Sequence, residues 1–138
     1  MEKIRVETLV NADLKKVWEY FTTPEHVMNW NFASSDWHCP AASNNLVTGG
    51  SFSYTMAAKD GSFSFDFAGV YDEVIEKEQF TYSMADGRQV QVIFEEQDGG
   101  VLVIEIFDPE SENPVEMQQA GWQMILDNFR KYTESNLS

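Results

Sequence analysis

The stretch "AGWQMILDNFRKYTES", Ala120–Ser135, decides the fold. Trp122, Ile125, Leu126 and Phe129 recur at the i, i+3, i+4, i+7 spacing of one helix face. The same spacing continued backwards reaches Gln118 and then Val115, so a helix is predicted from Val115 to Thr133, started by Pro114. Gln118 is therefore a polar group on an apolar face. Buried, its amide needs a strand backbone, a cavity water or a ligand; at a helix end it can instead face solvent. Met117, Gly121 and Met124 form a second, narrower stripe, expected to pack against other helices or to meet a partner.

A long half-apolar helix must cover something, and the residues before it supply strands. "IRVETLV" alternates Ile4, Val6, Thr8 and Val10 against polar neighbours. Two short helices follow. Asp13 caps the first, with Leu14, Val17, Trp18 and Phe21 as its apolar face. Thr23 and Pro24 restart the second, which turns Val27 and Trp30 inward. Residues 31–50 lose the pattern, at a length that ordinary connections do not reach, and a short strand is expected near Ala42–Val47. Strands then come in series. One carries Phe52, Tyr54 and Met56; the next carries Phe63, Phe65 and Phe67. Gly69 is expected to allow a bulge or close backbone approach, with the register changed at Val70 and Val74. Phe80, Tyr82 and Met84 share a face, as do Val90, Val92 and Phe94, and then Leu102, Ile104 and Ile106. The turn signals "KDG", "ADGR" and "DGG" make this an antiparallel meander.

Helices lying outside one block of strands indicate an α+β fold, a single domain over residues 1–138 with its helices on one face of the sheet. A meander this long curls. A straight helix cannot touch a curled sheet everywhere, so a cavity is expected near its N-terminus, closed by the two short helices and residues 31–50.

Composition narrows the functions. Hydrophobic residues make up 43% and aromatic residues 14% of the 138, a packed domain rich in large rings. The formal net charge of −14 repels phosphate backbones and anionic surfaces, which argues against nucleic acid and membrane partners. No apolar run approaches the ~18 residues of a membrane span. Cys39 alone cannot form an internal disulfide, and "MEKIRVETLV" lacks a signal-peptide layout, so a cytoplasmic location is expected.

Several segments together resemble a known family: "VWEYFTTPEHVMNW", "LVTGGSFSYTMAAKDGSFSFDFAGVYDEV" and "GWQMILDNFRKY". In this order they are similar to the activator of heat-shock protein 90 ATPase homologue family, of the START-like, polyketide cyclase/SRPBCC superfamily. The resemblance implies a helix-grip fold, as in START and Bet v 1-like proteins: a curved antiparallel sheet wrapped on a long C-terminal helix around an apolar cavity. It also implies a place among proteins that bind lipids, hormones or aromatic polyketides, a few of which catalyse.

Reactive groups are few. His38 and Cys39 adjoin in the irregular segment, where neighbouring side chains rarely face each other; mouth packing is expected rather than an activated thiolate. His26 is expected at a helix-end surface. Two histidines and one cysteine are too few soft ligands for a metal site, "DPESENPVE" lacks calcium-loop spacing, and neither "TGG" nor "DGG" continues as a phosphate loop. Asp66, Asp72 and Glu73 are expected outside, unless a bulge turns one inward as a general base.

The aromatic set is the stronger signal. Trp30, Trp37, Phe52, Tyr54, Phe65 and Phe67 are expected to line one cavity. Tyr82, Phe94 and Trp122 join them, with Met56, Met84 and Met117 as adaptable walls and Gln118 as a polar contact. The expected function is binding of an apolar or aromatic small molecule, with no cofactor, by a monomer or homodimer. One alternative is a cyclase, dehydratase or hydrolase, which needs a titratable group turned into the cavity. Another is a protein-interaction domain of the chaperone-activator kind.

Overall fold

The structure, a computed structural model, describes residues 2–136. Strand β1 (Ile4–Val10) leads into helices α1 (Leu14–Thr22) and α2 (Pro24–Val27). Strands β2 (Trp37–Asn44), β3 (Ser51–Ala58), β4 (Ser64–Ile75), β5 (Gln79–Ser83), β6 (Gln89–Gln97) and β7 (Gly100–Phe107) follow, and helix α3 (Val115–Ser135) ends the order. All seven strands form one antiparallel sheet in the order β1-β7-β6-β5-β4-β3-β2. The meander thus runs from β2 to β7, and β1 closes its far side. The sheet curls around α3, with α1 and α2 beside it: the α+β, helix-grip-like fold expected.

Local chemistry explains most elements. The Asp13 carboxylate accepts from the Lys16 amide at 2.8 Å and caps α1, whose Val17, Trp18 and Phe21 are buried. Pro24 occupies the first position of α2, and Val27 and Trp30 turn inward. In β1 burial alternates at every residue, with Ile4, Val6, Thr8 and Val10 inside. From the other side, α3 lays Leu126 and Phe129 into the core. The side-chain amides of Gln119 and Gln123 on α3 donate to the Arg5 and Glu7 carbonyls of β1, at 3.3 and 3.0 Å.

Four expectations are corrected. The strand inside residues 31–50 begins earlier than Ala42, at Trp37, because β2 is an outer strand and tolerates Pro40, next to a register shift between His38 and Ala41. The β4 bulge lies between Tyr71 and Glu73 rather than at Gly69, so Val70 points out and Tyr71 takes the inner position. Gly69 instead serves close approach: a Cβ there would stand 3.0 Å from both the Phe52 and Tyr82 rings. In β7 the inner residues are Val101, Val103, Glu105 and Phe107, not Leu102, Ile104 and Ile106, because Val92 pairs with Glu105 and Phe94 with Val103. Finally, Met117 and Met124 are 60% and 48% exposed on the outer side of α3 and do not pack against the short helices.

Candidate functional site

The inner face of the sheet is filled at one end and hollow at the other. At the filled end Trp18 and Phe21 of α1 meet Phe80 and Phe94, with ring centroids 5.1–6.1 Å apart. At the other end a cavity of about 190 Å³ remains between the sheet, the N-terminal half of α3 and the end of α1. A cavity of roughly 150 Å³ already admits a benzene ring. The hollow therefore has room for a substituted single ring.

Its walls come from every layer. Trp122 and Ile125 of α3 form one side. Trp122 stacks on Phe107 of β7 at 3.8 Å and 14°, and meets Phe67 of β4 edge-on at 5.9 Å. One indole thus bridges strands that lie three places apart in the sheet. Phe52 and Tyr82 touch at 4.7 Å over Gly69, where a methyl group would push both rings into the space. Trp30 is fixed by an indole N–H donated to the Tyr20 carbonyl at 3.0 Å.

Of the residues expected to line the cavity, Trp30, Phe52, Tyr54 and Met56 do so, together with Phe65, Phe67, Tyr82 and Trp122. Five are placed elsewhere. Met84, buried, and Met117, exposed, lie outside the lining. Trp37 sits on the rim of the β3–β4 hairpin, against Phe63 and Phe65 at 6.1 and 6.2 Å. Phe94 belongs to the filled end, its inner face occupied by Trp18. Gln118 is buried, but its partners are the loop before α3. Its carbonyl accepts from the Glu110 amide at 2.9 Å, and its amide donates to the Glu110 and Asn113 carbonyls at 3.1 and 2.8 Å. It ties β7 to α3 and faces neither solvent nor the hollow.

The other reactive groups are placed away from it. Burial pushes the Cys39 thiol up, against a weaker downward pull from the Ala41 backbone, so it is no activated thiolate. His26 stacks on Tyr20 at 3.9 Å and bonds the Tyr132 hydroxyl at 2.6 Å, joining α2 to α3. Asp66 and Asp72 lie outside, bonded to Thr55 and Ser83. Among the described residues no group of His, Cys, Asp and Glu could hold a metal ion.

The polar part of the hollow was foreseen at Tyr54 and Tyr82 but not beyond them. The Tyr71 hydroxyl donates to the Asn44 side-chain oxygen Oδ1 at 2.6 Å, and the Asn44 side-chain nitrogen Nδ2 donates to the Thr22 backbone carbonyl at 2.7 Å. This chain spans β4, β2 and α1. Burial first, and then the neighbouring Tyr71, pushes the Tyr54 hydroxyl well above its ordinary pKa. Burial first, and then the nearby Glu105 charge, does the same to Tyr82. Both are neutral hydroxyls at any physiological pH.

Glu105 is the one carboxyl group in the lining among the described residues. It lines the cavity, is 9% exposed, and has no hydrogen-bond partner among the described residues. Desolvation alone pushes its pKa from 4.5 up to about 8. Asn31 also lines the hollow, buried, with no side-chain bond among the described residues. Counting outward from the β6–β7 turn would have found Glu105: Gln97 pairs with Gly100, which puts residue 105 opposite Val92 on the inner face.

The geometry matches known structures. The family described as "Activator of Hsp90 ATPase homolog 1-like protein" matches residues 11–134 of the chain. The solution structure of an AHSA1-like protein from Aeromonas hydrophila is 44% identical, with a TM-score of 0.90, covering 96% of this chain and 92% of that one. The solution structure of a Cytophaga hutchinsonii protein is 52% identical, with a TM-score of 0.84, covering 98% and 94%. A crystal structure of a Nitrosomonas europaea protein shares the fold at 14% identity, with a TM-score of 0.83 over 97% and 95%. No curated protein matches the chain in sequence. No described helix is long and apolar enough to cross a membrane.

Proposed function

The chain belongs to the Activator of Hsp90 ATPase homolog 1-like protein family, and we propose that it acts as a binding protein for a small apolar or aromatic molecule. The observation that carries this reading is the aromatic hollow of about 190 Å³ between α3 and the curled sheet. A thin helix–sheet contact would be filled by its own rings, as the Trp18–Phe94 end is. Here Gly69 lets the Phe52 and Tyr82 rings lie close against the sheet, where a side chain would push them into the hollow. Burying ligand surface at ~25 cal/mol per Å² supplies the attraction, against ordering costs. Placement in a reducing, cytoplasmic compartment fits the single, unactivated thiol.

A catalytic reading has one observation in its favour, the inward carboxyl of Glu105. General acid–base chemistry would use it with the neutral tyrosines around it. Binding is favoured because most of the remaining lining is apolar, the exceptions being Thr22, Asn31 and three tyrosines whose hydroxyls are neutral.

Native mass spectrometry of the protein purified from its own host tests the proposal. A retained small molecule, released on unfolding, is the expected result. An empty protein that also leaves the fluorescence of a neutral apolar dye unchanged would sink it.

A further inference from the structure

We propose that the hollow selects amines: its ligand carries a positively charged nitrogen on an apolar or aromatic body, and Glu105 is the residue that holds that nitrogen. The inference rests on the reading of the hollow as a binding site and names what enters it.

Four observations carry it. Glu105 is nine-tenths buried, opens on the cavity and has no partner among the described residues. A buried carboxyl without a partner is costly, and a ligand that supplies one gains that cost back. Among the described residues no Lys, Arg or His lines the hollow. A fatty acid or phosphate ester would find no cation there to hold its charge. The lining carries the rings of Trp30, Phe52 and Trp122, and an aromatic face attracts a cation placed over it. The net charge of −14 draws cations towards the molecule from solution.

The groups facing Glu105 do not supply the charge themselves. Along the sheet it lies between Val6 of β1 and Val92 of β6. The titratable groups sharing its cavity are Tyr82 of β5, Tyr71 of β4 and Tyr54 of β3, whose hydroxyls burial keeps neutral. Helix α3 contributes Trp122 and Ile125, and α1 contributes Phe21 and Thr22, none of them charged. Arg88 acts on Tyr82 from the β5–β6 turn but is not in the lining.

With its pKa near 8, Glu105 is mostly protonated at pH 7. Pairing with an ammonium ion therefore expels its proton. The test titrates phenethylamine and its uncharged analogue 2-phenylethanol into the protein by calorimetry. The titrations are made at pH 7, in two buffers of different ionisation enthalpy, on the parent and on Glu105→Gln. The amine is expected to bind about tenfold tighter than the alcohol. About 0.9 proton should be released per amine bound, and none with the alcohol. In Glu105→Gln, checked for an unchanged fold by its melting curve, the preference should vanish while the alcohol still binds. Equal affinities in the parent, an amine preference that survives in Glu105→Gln, or amine binding without proton release would each overturn the inference and leave the hollow a site for neutral ligands. Binding of neither probe would overturn the reading of the hollow itself.

Discussion

Replacing Glu105 by Gln should change how stability depends on pH, and the size of the change follows from where the side chain sits. Unfolded, Glu105 titrates near 4.5; folded, desolvation holds its pKa near 8. Between those values the native state keeps a proton that the unfolded chain has already lost. Stability from this group is thus fully present below pH 4.5 and falls as pH rises, by up to about 1.4 kcal/mol per pH unit, levelling off above pH 8. From pH 5 to pH 9 the loss amounts to about 4 kcal/mol. Glutamine keeps the shape and cannot titrate. Its own buried amide adds a constant offset, which drops out of the comparison. Urea unfolding of both proteins at pH 5, 7 and 9 should therefore show the variant gaining on the parent by about 4 kcal/mol over that range. The other carboxylates, common to both proteins, cancel. A difference that stays flat with pH would mean that Glu105 ionises as freely as an exposed glutamate, and the account of a dry, unpartnered carboxyl would fail.

Two further substitutions probe the packing. Trp122→Ala removes the indole bridging Phe107 and Phe67, and should cost about 2–3 kcal/mol in chemical denaturation. Full burial would set a higher cost, of about 3–5 kcal/mol, but Trp122 is only half-buried; a melting curve identical to the parent's would remove it from the core. Gly100→Ala should cost about 3 kcal/mol, since φ there is +145° and a Cβ would strike the Val10 carbonyl of β1. Retention of the parent's midpoint would show that β1 and β7 part more easily than their register suggests.

The architecture was legible because its signals repeat. The α3 stripe, the Asp13 cap, the Pro24 restart and the chain of hairpin turns each point to the same layers. What alternation could not give was phase. "VLVIEIF" is apolar at nearly every position, so either face of β7 could be the inner one. The ordinary rule that a charged residue faces water put Glu105 outside. Only its register with Val92 reverses this. Strand β2 was hidden for a related reason: an outer strand with Pro40 and polar neighbours carries little apolar pattern. Most of the cavity wall could be named from its rings. Phe94 could not be told apart from them, because its removal from the hollow depends on Trp18 reaching across from α1. The Tyr71–Asn44 pair joins residues 27 positions apart and has no local signature.

The bonds from Gln119 and Gln123 to β1 bear on self-association. A bare outer strand is a template on which a second molecule can add its own, the first step towards fibrils. On β1 two glutamine amides already occupy the Arg5 and Glu7 carbonyls, and the Asn11 amide donates to Glu134. At the opposite margin Pro40 withholds a donor where a newcomer would need one. Strand addition is thus hindered at β1 by side chains of this one molecule, and β2 lacks a donor at Pro40.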